Sequence, residues 1–231
     1  MTMRPDVFAA PGGRATSARD GVRRQVSATL RAALIAGELV PGKVYSAPEL
    51  ARRLDVSATP VREAMLDLAR DRMVEVVPNT GFRVTEVGPA ELDRITAIRL
   101  LLEVPVMGEI AESSAAGRDR RLAELRPLAD AMVAAAEAVD LIAYLALDTE
   151  FHTSFLAIAG NDELVDLVRG LRERSRLTGL RAVAEAGGLA AMTREHHALL
   201  DAALAHDRRS IEELTRRHLG HVRSEWAADR P

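Results

Sequence analysis

The chain has 231 residues, 48% hydrophobic and 28% charged, with a formal charge of −3 and no cysteine. That composition suits a globular protein of one large or two modest domains, and it excludes disulfides and thiolate metal sites. No apolar run reaches the roughly 18 residues of a membrane span, and the first twenty residues lack the apolar stretch of a secretory signal. A cytoplasmic protein with no membrane partner is expected, and zero cysteine fits a reducing compartment.

The charge is unevenly spread. Met1 to Thr85 carries 13 basic and 9 acidic residues, a net of +4. Against totals of 31 and 34, the remainder holds 18 and 25, a net of −7. A basic first third on an acidic body suggests two jobs, the first facing a polyanion.

Residues 1–20, with Pro5, Pro11 and Gly12-Gly13, read as a disordered tail. Val22, Val26, Leu30, Leu34 and Ile35 then form a helical stripe over Val22 to Ala36, which Gly37 stops. Ser46 and Glu49 have capping-box spacing, opening a short helix from Ala47 to Leu54. After the tight Asp55-Val56 connection, Ser57 caps a third helix of about a dozen residues, with Pro60 in its first turn. Met73 to Val77, the Pro78-Asn79-Thr80-Gly81 turn and Phe82 to Val87 read as strand, turn and strand.

Beyond Gly88, amphipathic segments follow at about 90–115, 119–138, 140–159, 162–183, 188–205 and 208–227. Connections this short imply antiparallel neighbours in a bundle. The chain is therefore expected to be mainly α. A winged helix-turn-helix at 21–87 is followed by an all-α antiparallel bundle of about six helices at 88–231.

Three short helices and a two-stranded wing are a known way to present a helix to the major groove of duplex DNA. Ser57 and Thr59 place hydroxyls at the start of the third helix, where the dipole and free N–H groups also favour phosphate. Arg62, one turn in, has the reach and fork to engage a guanine or a phosphate. Val61, Ala64, Met65 and Leu68 supply the inward face. On pattern alone, a small capped helix in an ordinary α/β domain is the alternative.

Several runs resemble the GntR family of bacterial transcription regulators, in order across the first domain. They are Leu30-Arg31 through Gly37-Glu38-Leu39-Val40-Pro41-Gly42, Glu49-Leu50-Ala51, Val56-Ser57-Ala58-Thr59-Pro60-Val61-Arg62-Glu63-Ala64 and Pro78-Asn79-Thr80-Gly81-Phe82-Arg83-Val84. The resemblance implies that Thr59 and Arg62 sit in the major groove, and that Gly81 lets the wing tip approach the minor groove. Two departures matter. Ala58 and Pro48 stand where relatives carry arginine, so those two contacts do not carry over and the operator is expected to differ. Arg52, Arg53 and Arg83 are candidates for phosphate contacts, with solvated surface charge the alternative for each.

In the second domain, Asp148 and His152 lie four apart and so share a helix face. His196 and His197 lie on a later helix, and His218 and His221 on the last. A carboxylate and imidazoles converging in a bundle suit a divalent metal, zinc first, with manganese, nickel or iron as alternatives. Surface or capping histidines are the plain alternative. Arg99-Leu100-Leu101-Leu102-Glu103, Asp148-Thr149-Glu150-Phe151-His152, Gly160-Asn161-Asp162-Glu163-Leu164, Glu195-His196-His197-Ala198-Leu199 and Arg216-Arg217-His218-Leu219 are similar to the FCD ligand-binding domain of the FadR subfamily. That resemblance selects Asp148, His152, His196 and His218 as ligands, and implies a small organic acid as effector. Arg99 is the first choice to pair with its carboxylate, against a salt bridge to Glu103 four residues on. Arg172 is the second choice, and Asn161 is expected to cap a helix.

Together these readings give a homodimeric, metabolite-responsive regulator on a palindromic operator, more often a repressor by family habit, and not an enzyme. The alternative is a metal-dependent hydrolase fused to a DNA-targeting module. It needs a base near the metal, and Glu150 points away from Asp148 and His152 on their helix.

Overall fold

The computed structural model describes residues 18–177, 183–184 and 187–224, and packing divides the chain into two compact units, Met1–Glu86 and Val87–Pro231. Residues 1–17 of the expected tail lie outside the described residues, while Ala18 to Asp20 already belong to the first helix.

The first unit holds α1 (Ala18–Ile35), β1 (Val44–Tyr45), α2 (Ala47–Leu54), α3 (Ala58–Arg70), β2 (Val74–Val77) and β3 (Gly81–Val84). Leu30, Leu34, Leu39, Leu50, Met65, Leu68 and Met73 are buried at its centre, joining the stripes of the three helices. The sheet order is β1-β3-β2, all antiparallel, with Val77 opposite Gly81 and Val74 opposite Val84. β1 is the strand missing from the expected list. Two residues are too short to show a period, yet Tyr45 pairs with Phe82 and Val44 with Arg83.

Capping follows expectation only in part. Ser46 Oγ accepts from the Glu49 amide at 3.3 Å, one half of a capping box. Ser57 occupies the N-cap of α3, but its side chain makes no capping bond, which corrects the expected cap.

The second unit is helical among its described residues: α4 (Pro89–Glu112), α5 (Arg118–Ala123), α6 (Arg126–Glu137), α7 (Leu141–Leu156), a 3-10 turn (Ala157–Ala159), α8 (Asp162–Ser175), α9 (Leu189–Thr193), α10 (Glu195–Leu204) and α11 (Arg208–Ser224). Two expected helices are each divided. In the 119–138 segment the break falls at Leu125 because Pro127, with no N–H to donate, fits only the first turn of a new helix. The 188–205 segment breaks at Arg194. The expected 162–183 helix ends at Ser175, and residues 178–182 and 225–227 of the expected spans lie outside the described residues. Asp140 and Asn161 cap α7 and α8, accepting from the amides of Ala143 and Leu164 at 3.0 Å.

The core joins Met107 and Ile110 of α4, Phe151 and Phe155 of α7, Val168 of α8, Leu199 and Leu200 of α10 and Ile211 of α11. Helices α4 and α11 approach closely at Gly108, where a Cβ would come within 2.7 Å of Glu212 Oε1. Arg118 fastens two helix ends: its buried guanidinium donates to the carbonyls of Ile110 at 2.7 Å, Ala111 at 2.6 Å and Ala203. The stripe of α4 that faces inward runs Leu92, Thr96, Arg99, Glu103, Met107, Ile110, and its polar middle is the anomaly that marks a site. Among the described residues no helix is long and apolar enough to cross a membrane.

Candidate functional site

Helix α3 is amphipathic in the required sense. Val61, Ala64, Met65 and Leu68 are fully buried, while Ser57, Ala58, Thr59, Arg62, Glu63 and Leu66 form the exposed side. Its inner end is tied to α1 by Arg23 Nη2 to Asp67 Oδ2 at 2.5 Å and Arg31 Nη2 to Asp71 Oδ2 at 2.6 Å. The hydrogen bond from Arg23 holds the Asp67 carboxyl below the usual carboxylate range, and the nearby charges of Arg23 and Arg70 add to it. Arg62 and Arg52 are exposed and have no charged partner among the described residues. Arg53 is also exposed, in the last turn of α2. Arg83 points outward from β3, 3.8 Å from Glu75 on the neighbouring strand. Gly81 has a reason beyond the wing tip: at φ 155° a Cβ there would sit 2.3 Å from the Tyr45 carbonyl oxygen, so β1 closes over it only if the residue is glycine.

In the second unit, ligand atoms of Asp148, His152, His196 and His218 all lie within 4.8 Å of one another. The i, i+4 pair on α7 supplies two, α10 the third and α11 the fourth. Each orientation has a cause. The Thr193 carbonyl accepts from His196 Nδ1 at 2.7 Å, while the His197 amide bonds the Arg194 carbonyl instead. The break between α9 and α10 thus frees a carbonyl to hold the histidine. His218 Nδ1 lies 3.0 Å from Glu195 Oε2, again an acceptor only. In both rings the proton is therefore on Nδ1 and the Nε2 lone pair is available.

Burial, the leading cause, depresses all three imidazoles: His196 and His218 to about 3, and His152 well below its ordinary value. They are neutral at pH 7, as metal ligation requires. His152 Nε2 and His196 Nε2 are 3.0 Å apart, and Asp148 Oδ1 lies 3.5 Å from His196 Nε2 and 3.9 Å from His152 Nε2. Asp148 Oδ1 is buried with no hydrogen-bond partner. Metal–nitrogen bonds of about 2.1 Å set adjacent ligands roughly 3 Å apart, so the donor set fits a divalent ion. A carboxylate oxygen that would otherwise be orphaned gains a partner there.

Behind Asp148 lies a second layer. Arg99 Nε donates to Glu103 Oε1 at 2.6 Å and its Nη2 to Oε2 at 3.4 Å. The salt bridge held as the alternative for Arg99 is thus formed, and its fork is engaged rather than free. Arg172 donates from Nη1 to Glu103 Oε2 at 3.1 Å and from Nη2 to Asp148 Oδ2 at 2.8 Å. Arg176 also donates to Asp148 Oδ2 and lies 3.4 Å from Thr149 Oγ1. Burial alone would raise the Glu103 carboxyl, but Arg99 and Arg172 more than reverse it. Burial lowers Arg99 and Arg176 to about 10, which leaves both charged at pH 7.

Arg176, Glu195 and Thr193 escaped the sequence reading. For Arg176 a signal existed, since it stands one turn beyond Arg172 on the same helical face. His197 pairs with Asp130 at 2.7 Å and His206 contacts Arg118, both outside the cluster.

Comparison with known proteins agrees with this division. Residues 22–84 match the family "Bacterial regulatory proteins, gntR family", and residues 94–221 match the FCD domain. The chain is 33% identical over 188 residues to the HTH-type transcriptional regulator McbR of Escherichia coli strain K12, covering 80% of this chain and 83% of that protein. It is 30% identical over 201 residues to an uncharacterized HTH-type transcriptional regulator from Streptomyces ambofaciens, covering 85% and 81%. The solved structure of E. coli McbR/YncC superposes with a TM-score of 0.72 at 28% identity, over 87% of this chain and 94% of that one. A GntR-type regulator from Rhodococcus sp. RHA1 has the same fold, with a TM-score of 0.71 at 23% identity over 91% and 100%. With its helix-turn-helix unit and its helical FCD unit, the chain belongs to the gntR family of bacterial regulators and is a DNA-binding transcriptional regulator.

Proposed function

We propose that this regulator is a cytoplasmic homodimer that represses from a palindromic operator and lets go when a small organic acid binds beside a metal in its FCD unit. Residues 21–87 read the operator, and residues 88–231 hold the effector and the dimer contact. The observation that carries the reading is the buried, partnerless Oδ1 of Asp148 among three neutral imidazoles. Asp148, His152, His196 and His218 hold a divalent ion, zinc first, with manganese, nickel or iron as alternatives. The ion, once bound, supplies an open position for a carboxylate oxygen.

This chain's own residues do the rest. Thr193 and Glu195 fix two rings with their lone pairs inward. Arg172, whose Nε has no acceptor, is the leading partner for the acid, with Arg99 steadied behind it by Glu103. On the DNA side, Thr59 and Arg62 read base edges while Ser57, Arg52, Arg53 and Arg83 hold phosphates, with Gly81 at the wing. A single helix reads few base pairs, so two copies on two half-sites supply the specificity. Glu150, the carboxylate between Asp148 and His152, is exposed on α7 and so does not serve as a hydrolytic base at the metal.

The test is a thermal-shift screen of small carboxylates with and without added zinc or manganese. An acid present at a hundredfold over its Kd stabilises by about 2.7 kcal/mol, so a rise of several degrees that requires metal is expected. A complete panel without a metal-dependent shift would remove the effector site.

A further inference from the structure

The bonded network behind the metal ligands carries more positive than negative charge. Arg99, Arg172 and Arg176 face Glu103 and Asp148, three guanidiniums against two carboxylates, and none of the five is more than 5% exposed. Glu103 is fully committed, taking both prongs of Arg99 and one of Arg172. Asp148 is shared: its Oδ2 accepts from both Arg172 and Arg176, while its Oδ1 turns to the histidines. Arg172 Nε is left with no acceptor.

An unbalanced cation at this depth is costly unless an anion shares the site. The imidazoles add no negative charge, and Glu195 behind His218 is matched by Arg217 at 3.3 Å. The network stands at +1, and a divalent ion raises it to +3. A monocarboxylate would leave +2, whereas a dicarboxylate leaves +1.

We infer that the effector carries two acidic groups, a small dicarboxylic or hydroxy-dicarboxylic acid whose first carboxylate takes the open Nε of Arg172 and whose second is received by Arg176. This rests on the effector reading above. Arg176 is the arginine suited to the task because it follows the last residue of α8 and is held by a shared carboxylate oxygen and one long contact to Thr149. A second carboxylate would replace Asp148 Oδ2 as its acceptor and leave Asp148 to the metal. Arg176 therefore selects diacids over monoacids, a role beyond the Arg99 and Arg172 pairing proposed for the first carboxylate.

The experiment is isothermal titration of the full-length, metal-loaded protein with two matched pairs, L-malate against L-lactate and succinate against butyrate. Each diacid is expected to bind about tenfold or more tightly than its partner, the worth of a charge-assisted pair. In Arg176→Met the ratio within each pair collapses to about twofold. In Arg176→Lys, which keeps the charge, part of the preference survives. Metal content by elemental analysis and circular dichroism accompany each variant, and a Met variant that loses its metal hands the readout to the Lys variant. Equal affinities within pairs, or an Arg176 variant that weakens both members by the same factor, overturn the inference and leave the effector site standing. If none of the four acids binds the metal-loaded protein, the inference and the effector reading both fall.

Discussion

Arg62→Ala is expected to weaken operator binding by about 1–3 kcal/mol per half-site, and so by roughly 30- to 10⁴-fold for a dimer on two half-sites. Burial sets the direction of the side chain. Val61, Ala64, Met65 and Leu68 occupy one side of α3 completely, so Arg62 can only project away from the core. It has no charged partner among the described residues to hold it against the protein. Its removal deletes no hydrogen bond or ion pair among the described residues, and the melting temperature should stay within about a degree of wild type. The measurement is a gel shift on a site selected from random duplexes by the wild-type protein. The departures at Ala58 and Pro48 give this selection a second use, because the selected site is expected to differ from the operators of relatives.

The second large effect is in the helical unit. His152→Ala combined with His196→Ala is expected to remove bound metal altogether, as read by elemental analysis after metal supplementation. Stabilisation by metal disappears with it. At a thousandfold excess over Kd that stabilisation is about 4 kcal/mol, so the gap between metal-loaded and metal-free melting curves should close in the variant. The variant loses two buried rings that contact each other at 3.0 Å and opens a cavity, so the readout is the gap between its own metal-loaded and metal-free curves rather than its absolute melting temperature. Metal retained at one equivalent in the double variant would remove the assignment.

The sequence made some of this legible and hid the rest for physical reasons. Helix α2 begins and ends where its local signals put it, with Ser46 and Pro48 at the start and Asp55 in a left-handed conformation at the stop. The inward face of α3 was likewise readable, because four apolar positions recur at helical spacing. The ligand set was only half readable. Spacing paired Asp148 with His152, but choosing His196 over His197 needed the family resemblance, since adjacent residues differ by about 100° around a helix and spacing does not say which faces in.

What stayed hidden depends on distant partners. β1 is two residues long and exists because β3 pairs with it. The break at Arg194 carries no proline or glycine to announce it, and it leaves the Thr193 carbonyl to His196. The charge network joins α4, α7 and α8, between residues as much as 69 apart, and only folding shows that three arginines share two carboxylates.

With the two sites coupled as proposed, acid binding beside the metal governs operator affinity. This coupling is tested most directly by fluorescence anisotropy of the selected operator, titrated with metal-loaded protein in the absence and presence of a saturating diacid. Coupling of about 1–3 kcal/mol is usual between such sites, so operator affinity is expected to fall some 5- to 150-fold with the acid, with no response in the His152→Ala/His196→Ala protein. An operator affinity unchanged by an acid that demonstrably binds would contradict it.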